Sequence, residues 1–402
     1  MDSKLNPKQR GLYLLSVDLL QGYLIILMVI GHGLLWWDHS LAIEWEKNPL
    51  FLRCFWILFM LILPLFLSLY GFNHVNSLLR KVDVNSRREI RARGIKRSVI
   101  FFLIGFSAQG LMAIVTSPNK LLNFLVTWHI FHLFGLATIV YLLIFEIAWY
   151  VEARLSGFWK HWQFSLFITI GLLLLIIAIF LFSHDYSLTQ QVTISAELNI
   201  TSIFHHMVFE NGGNPIIPWV CFPLIGGMMA IILNLPSANK NSVLKNGGFL
   251  LLLSVFCFFI GGVFLEVERY VQPVNSYPAS SSFLFFTFSY LLSVPTIAIL
   301  LLDLTERNPR KAPIILYPLI LLSKISLTVF FFHNVFFILD PSFIPTEELL
   351  VLVMTLYSMF FILIAFIWQR WEFKFSLEWI IWKFQRVEWR WSGLKSIMRS
   401  PS

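Results

Sequence analysis

The first long apolar run of the chain contains Asp18, Gln21 and His32. Each is costly to hold in hydrocarbon, which marks the run as a place where polar chemistry has a use. The imidazole is the most versatile of the three. A neutral histidine near physiological pH can take a proton from an attacking hydroxyl or amine and give one to a leaving group, or attack an electrophile itself. Three more histidines, His129, His132 and His333, and one lysine, Lys324, fall in other apolar runs. His32 precedes Asp38 by six residues, His333 precedes Asp340 by seven, and His129 follows Lys120 by nine. At about 1.5 Å per helical residue they share a depth of roughly 9–14 Å below one membrane surface. His132 is a turn deeper, and at i+3 from His129 it shares that histidine's helix face. Taken alone, an intramembrane histidine is often an interhelical hydrogen-bonding residue; three at one depth suggest a site.

The elements that position these groups are membrane helices. The 402 residues are 57% hydrophobic and 13% charged, with a mean hydropathy of +0.75, far from the composition of a soluble globular protein. Spans of roughly 20 apolar residues are expected at 12–37, 50–77, 98–116, 121–149, 163–183, 215–234, 247–266, 281–302, 314–338 and 348–369, giving an all-α, polytopic fold of about ten helices. Segments on the N-terminal side of the membrane hold all but five of the 30 Lys and Arg. Lys47, Arg53, Lys120 and Arg269 lie on the other side and Lys324 within a span, which predicts that both termini are cytoplasmic. The net charge of +8 is a topology signal that also contacts anionic headgroups, and no nucleic-acid partner is expected. The N-terminal run is too long for a signal peptide, so the first helix is expected to stay.

On the first helix, Asp18 and His32 are separated by 14 residues, which leaves them some 40° apart in direction and about 21 Å apart along the axis. They and Gln21 share a face that would line a path inward from His32. Lys324 must snorkel, meet an anion or bind a phosphate-bearing ligand. Nine residues from His333, it lies on the opposite face of an ideal helix. Residues 184–214 form the longest outer loop, which contains His205 and His206 on the side where an outer substrate would arrive. His39, beside Trp36 and Trp37, is interfacial, and His74 reads as structural. Cys54, Cys221 and Cys257 have no metal-ligand spacing, and no metal is expected. Residues 1–369 form one membrane domain. The tail 370–402 alternates basic residues with Trp371, Trp379, Trp382, Trp389 and Trp391 and should lie in the cytoplasmic interface.

Ordered landmarks resemble the transmembrane acyltransferase superfamily. Ser16-Val17-Asp18-Leu19-Leu20-Gln21-Gly22 followed by Met28-Val29-Ile30-Gly31-His32 is similar to the first-helix signature of acyltransferase-3 proteins, with Gln21 where that family has arginine. Leu63 to Phe72, Phe131 to Ala137, Pro218 to Gly226 and Ser323 to His333 resemble the heparan-alpha-glucosaminide N-acetyltransferase branch. In that branch the catalytic histidine lies further along than His32, and His39 is its nearest counterpart here.

The resemblance implies transfer of an acetyl or other short acyl group from cytosolic acyl-CoA to a hydroxyl or amine of an extracytoplasmic sugar or glycan, in a multi-pass protein of the cell membrane. His32, His39 and His333 are its candidate catalytic residues. Asp18, Gln21, His129, His132, Lys324, His205 and His206 would bind substrate or co-substrate. The expected partners are acyl-CoA, the acceptor and the bilayer, and a homodimer is allowed. A small-solute transporter using the same polar residues is the alternative, and the sequence leaves O- and N-acylation, and direct and acyl-histidine routes, open.

Overall fold

The computed structural model describes residues 14–37, 50–82, 87–116, 129–154, 169, 171, 219–233, 240–271, 281–304, 314–333 and 347–386. Among these the protein is all-helical, without strands. The helices are α1 (Leu15–Trp37), α2 (Leu50–Val82), α3 (Arg87–Thr116), α4 (Ile130–Arg154), α5 (Cys221–Leu233), α6 (Lys240–Val271), α7 (Ser281–Ala298), α8 (Tyr317–Lys324), α9 (Ser326–Phe332), α10 (Glu347–Gln369) and α11 (Leu377–Arg386). Six are long and apolar enough to cross a membrane, or seven if the bent pair that ends in α8 and α9 is one span. α3, which begins with the basic run, and the 13-residue α5 are not among them. The expected span 163–183 lies almost wholly outside the described residues.

The inner segment read as a loop at 78–97 is largely helical, because α2 runs on to Val82 and α3 starts at Arg87. Arg, Glu, Lys and Ala are good helix formers, so the basic stretch from Arg87 onward is the first part of a helix instead of a loop.

Small residues let the helices approach closely. α2 crosses α5 at Gly71 and Gly226, where an added Cβ would collide with the Pro223 and Ser68 carbonyls respectively. α1 meets α8 in the same way, since a Cβ on Gly22 would fall on the backbone of Leu319. Between α2, α3, α4 and α9 the core is aromatic. Phe66 stacks on Phe330 at 5.6 Å, Tyr70 lies 4.1 Å from Phe134, and Phe131 meets Phe330 edge-on at 5.6 Å. Tyr70 shares a hydrogen bond with Thr138, and the Tyr141 hydroxyl donates to the Pro223 carbonyl. The outer faces of α6 (Leu252, Phe256, Phe259, Val263) and α10 (Leu352, Leu356, Phe360, Leu363) are exposed and apolar, as lipid-facing surfaces are.

Two irregularities shape the centre. α7 contains Pro295 and ends in a π-helical turn, Ile299–Asp303. The span from Ile314 to Phe332 is bent by 67° at Ile325, whose backbone leaves the helical region (φ −122°, ψ 24°).

Gly22→Ala is expected to separate α1 from α8 and destabilise the protein by about 1–3 kcal/mol, the usual range for overpacking. Thermal unfolding in detergent measures it against Gly262→Ala, where a Cβ meets open space. Equal midpoints for the two variants would show that α1 and α8 are not in backbone contact.

Candidate functional site

The polar face of α1 packs on α8 and α9, and its side chains meet partners there in order. The Lys324 ammonium donates to Asp18 Oδ2 at 2.6 Å, Gln21 Nε2 donates to Ser326 Oγ at 2.8 Å, and the rings of His32 and His333 lie 4.8 Å apart, tilted by 58°. Gln21 and His32 meet Ser326 and His333 in ascending order, so α9 runs along α1 in the same direction, whereas α8 crosses α1 with Leu319 at Gly22 and Lys324 reaching back to Asp18. The opposite-face expectation for Lys324 and His333 does not hold, because the break at Ile325 resets the helical phase between them. Both residues face α1. Lys324 has met an anion, Asp18, and remains partly exposed.

The hydrogen bonds assign the two imidazoles of the pair. His32 Nδ1 is 3.0 Å from the Met28 carbonyl and His333 Nδ1 is 2.7 Å from the Phe330 carbonyl. A carbonyl oxygen can only accept, so each neutral ring carries its proton on Nδ1 and its lone pair on Nε2. His333 is 1% exposed, and its Nε2 has no hydrogen-bond partner among the described residues. His32 is partly exposed. The arrangement supplies two basic nitrogens on facing helices.

His129 and His132 have the opposite polarity. His132 Nδ1 accepts from the His129 backbone N–H at 2.9 Å, at the start of α4, and His129 Nδ1 accepts a longer bond from Phe131 N–H at 3.5 Å. Their protons therefore sit on Nε2, which makes both rings donors on that side. His129 touches the edge of Phe330 at 6.0 Å, and Phe330 touches His333 at 5.4 Å, so one phenyl ring joins His129 to the pair. His132 is packed instead toward α3, 4.5 Å from Phe106 and over Gly105. His39, His205 and His206 lie outside the described residues.

Two acids that the sequence reading does not single out complete the centre. Asp303, at the end of the π turn, accepts from the Leu15 N–H at 2.8 Å and from the Ser16 hydroxyl, and so caps the first turn of α1. Glu378, in the tail helix α11, accepts from the Leu327 N–H at 2.5 Å, the Thr328 N–H at 3.3 Å and the Thr328 hydroxyl at 2.7 Å. A helix that breaks beside hydrocarbon frees backbone donors that must find acceptors, and Glu378 supplies them to α9. Burial pushes its carboxyl pKa up, against the lowering by the bonds from Thr328 and the backbone. The available signal was one of three glutamates among the aromatic residues of a net-basic tail, and an aspartate closing an apolar span.

Glu378→Ala removes three bonds and is expected to cost on the order of 1–3 kcal/mol, as for other buried polar groups left unpaired. Glu372→Ala, in the exposed turn before α11, should leave the unfolding midpoint in place, and equal midpoints would dismiss the capping role. A double-mutant cycle of Asp18→Asn and Lys324→Gln is expected to show coupling of about 1 kcal/mol, the upper range for a partly exposed pair. Strict additivity would mean that the ion pair contributes nothing. No protein-family model matches this chain, and no curated protein matches it.

Proposed function

We propose that this chain is a membrane-bound acyltransferase that moves an acetyl or other short acyl group from cytosolic acyl-CoA to a hydroxyl or amine of an extracytoplasmic sugar or glycan. The observation that carries the reading is the His32–His333 pair, whose Nδ1 atoms are tied to backbone carbonyls. Rings held in this way are oriented and present Nε2 as a base at no further rearrangement.

His32 is the base, because its ring is the more accessible of the two. Its Nε2 takes the proton of the acceptor O–H or N–H while the acceptor's lone pair attacks the thioester carbonyl carbon. The tetrahedral intermediate collapses with cleavage of the C–S bond, and His32 returns the proton to the departing thiolate. The products are an ester or amide and free CoA, and the imidazole ends as it began. His333 packs against His32 and limits its motion. His129, a donor at Nε2, polarises the carbonyl oxygen. The exposed basic start of α3 holds the anionic end of CoA, and Lys324, held by Asp18, places a cation on the path between them.

This reading sets the protein in the cell membrane with ten spans and both termini cytoplasmic.

Membranes containing wild-type or His32→Ala protein, incubated with labelled acetyl-CoA, test the assignment by identification of labelled products. The expected loss is more than about 100-fold, the size of a general-base contribution. Unchanged turnover in His32→Ala, with an active wild type, would move the base to His333 or His39. Solute uptake without any acyl transfer by purified protein would instead favour a transporter.

A further inference from the structure

Between the broken span and α10 lies an apolar groove of about 230 Å³. Ile325 and Val329 form one wall with Phe332, and Tyr357, Phe361 and Trp368 of α10 form the other. The groove opens beside the lipid-facing surface of α10, where Phe360 and Leu363 are exposed. It is therefore filled from hydrocarbon rather than from water.

Directly after Trp368 the chain enters a turn in which Glu372, Phe373 and Phe375 adopt left-handed backbone, with φ of 53°, 55° and 70°. Bulky side chains disfavour this region, and the turn is held by a run of backbone hydrogen bonds and by one from the Trp368 side chain. The Phe373 N–H donates to the Trp368 carbonyl at 3.1 Å, and Trp368 Nε1 donates to the Lys374 carbonyl at 2.6 Å. Against the turn lies a second, more polar hollow of about 560 Å³, open to its surroundings and lined by Arg370, Trp371, Glu372, Lys374 and Phe375. Glu372 partly offsets Lys374 at 3.7 Å. Lys383 and Arg386 on α11 add positive charge, each lying over a tryptophan ring at 5.6 Å and 3.9 Å respectively.

We propose that the groove and the basic turn are the two ends of one binding site for an anionic glycerophospholipid from the leaflet that faces the basic tail. An acyl chain lies in the groove and the phosphate headgroup is received at Arg370 and Lys374. Trp368 lines the first cavity and Arg370, two residues on, lines the second, and their chemistries are those of a lipid's two parts. Because the groove begins at Ile325 and runs along α9, a chain seated in it braces α9 against α10, while Glu378 holds the same helix from its start. The site is independent of the acyl-transfer reading.

The test reconstitutes the full chain in vesicles of phosphatidylcholine with a minority of phosphatidylglycerol, either lipid carrying a photoactivatable group near the end of one acyl chain. Cross-linked positions are mapped by mass spectrometry. The phosphatidylglycerol probe is expected to label α9 and the groove side of α10 above the lipid-facing surface of α6, which serves as an internal reference for folded, reconstituted protein. Arg370→Gln with Lys374→Gln should lower groove labelling relative to α6 by about tenfold, as expected for the loss of two interfacial charges. Ile364→Trp, which fills the groove and leaves the charges in place, should lower it as well. Equal labelling of α6 and the groove would show ordinary boundary lipid and overturn the proposal. So would equal labelling by the phosphatidylcholine probe, or groove labelling indifferent to both variants.

Discussion

The fold turns on the contact between its first helix and a span some three hundred residues away. Gly22 allows the backbones of α1 and α8 to touch, and that approach brings three polar side chains of α1 within reach of partners on α8 and α9. Without it, Asp18, Gln21 and Lys324 would be polar groups in an apolar setting, each without its present partner. In hydrocarbon there is little hydrophobic gain from bringing helices together, so close packing and hydrogen bonds must hold them. The same ladder that holds α1 also carries His32 to His333, which makes the geometry of the candidate site a product of helix association.

A second constraint follows from the first. To turn both Lys324 and His333 toward α1, the span must break at Ile325, and a broken helix in a membrane must find acceptors for its freed donors. The solution uses acids from elements that border the bilayer. Glu378 folds up from the tail helix onto the start of α9, and Asp303 performs the same service for α1 from the end of α7. The tail is therefore structural in a stronger sense than an interfacial anchor, since one of its side chains caps the start of α9.

Much of this was legible from residue order. Helical phase placed Asp18, Gln21 and His32 on one face, and these side chains do meet one neighbour. Counting from the charged boundaries put His32, His129 and His333 at one depth; Phe330 touches His129 and His333, and His333 touches His32. What the sequence could not reveal was anything that depended on departures from a regular helix. The opposite-face expectation for Lys324 and His333 assumed 3.6 residues per turn across Ile325, where no turn is completed. The basic run before residue 98 looked like a loop because charge marks topology, yet its residues are good helix formers and α3 begins among them. Asp303 and Glu378 carried only weak signals, since an acid at a helix end is ordinarily solvated and only the fold shows what it caps.

The capping and pairing of α1 also bear on how the chain is made. Its partners arrive late: Asp303 follows Leu15 by 288 residues, and Lys324 follows Asp18 by 306. At common rates of synthesis, about 5–20 residues per second, that interval is on the order of tens of seconds. Throughout it the nascent first helix carries an aspartate, a glutamine and a histidine whose final neighbours have yet to leave the ribosome. Biogenesis of this protein thus requires that α1 wait in surroundings wet enough to tolerate it, and the last third of the polypeptide acts as the component that allows the first span to leave them.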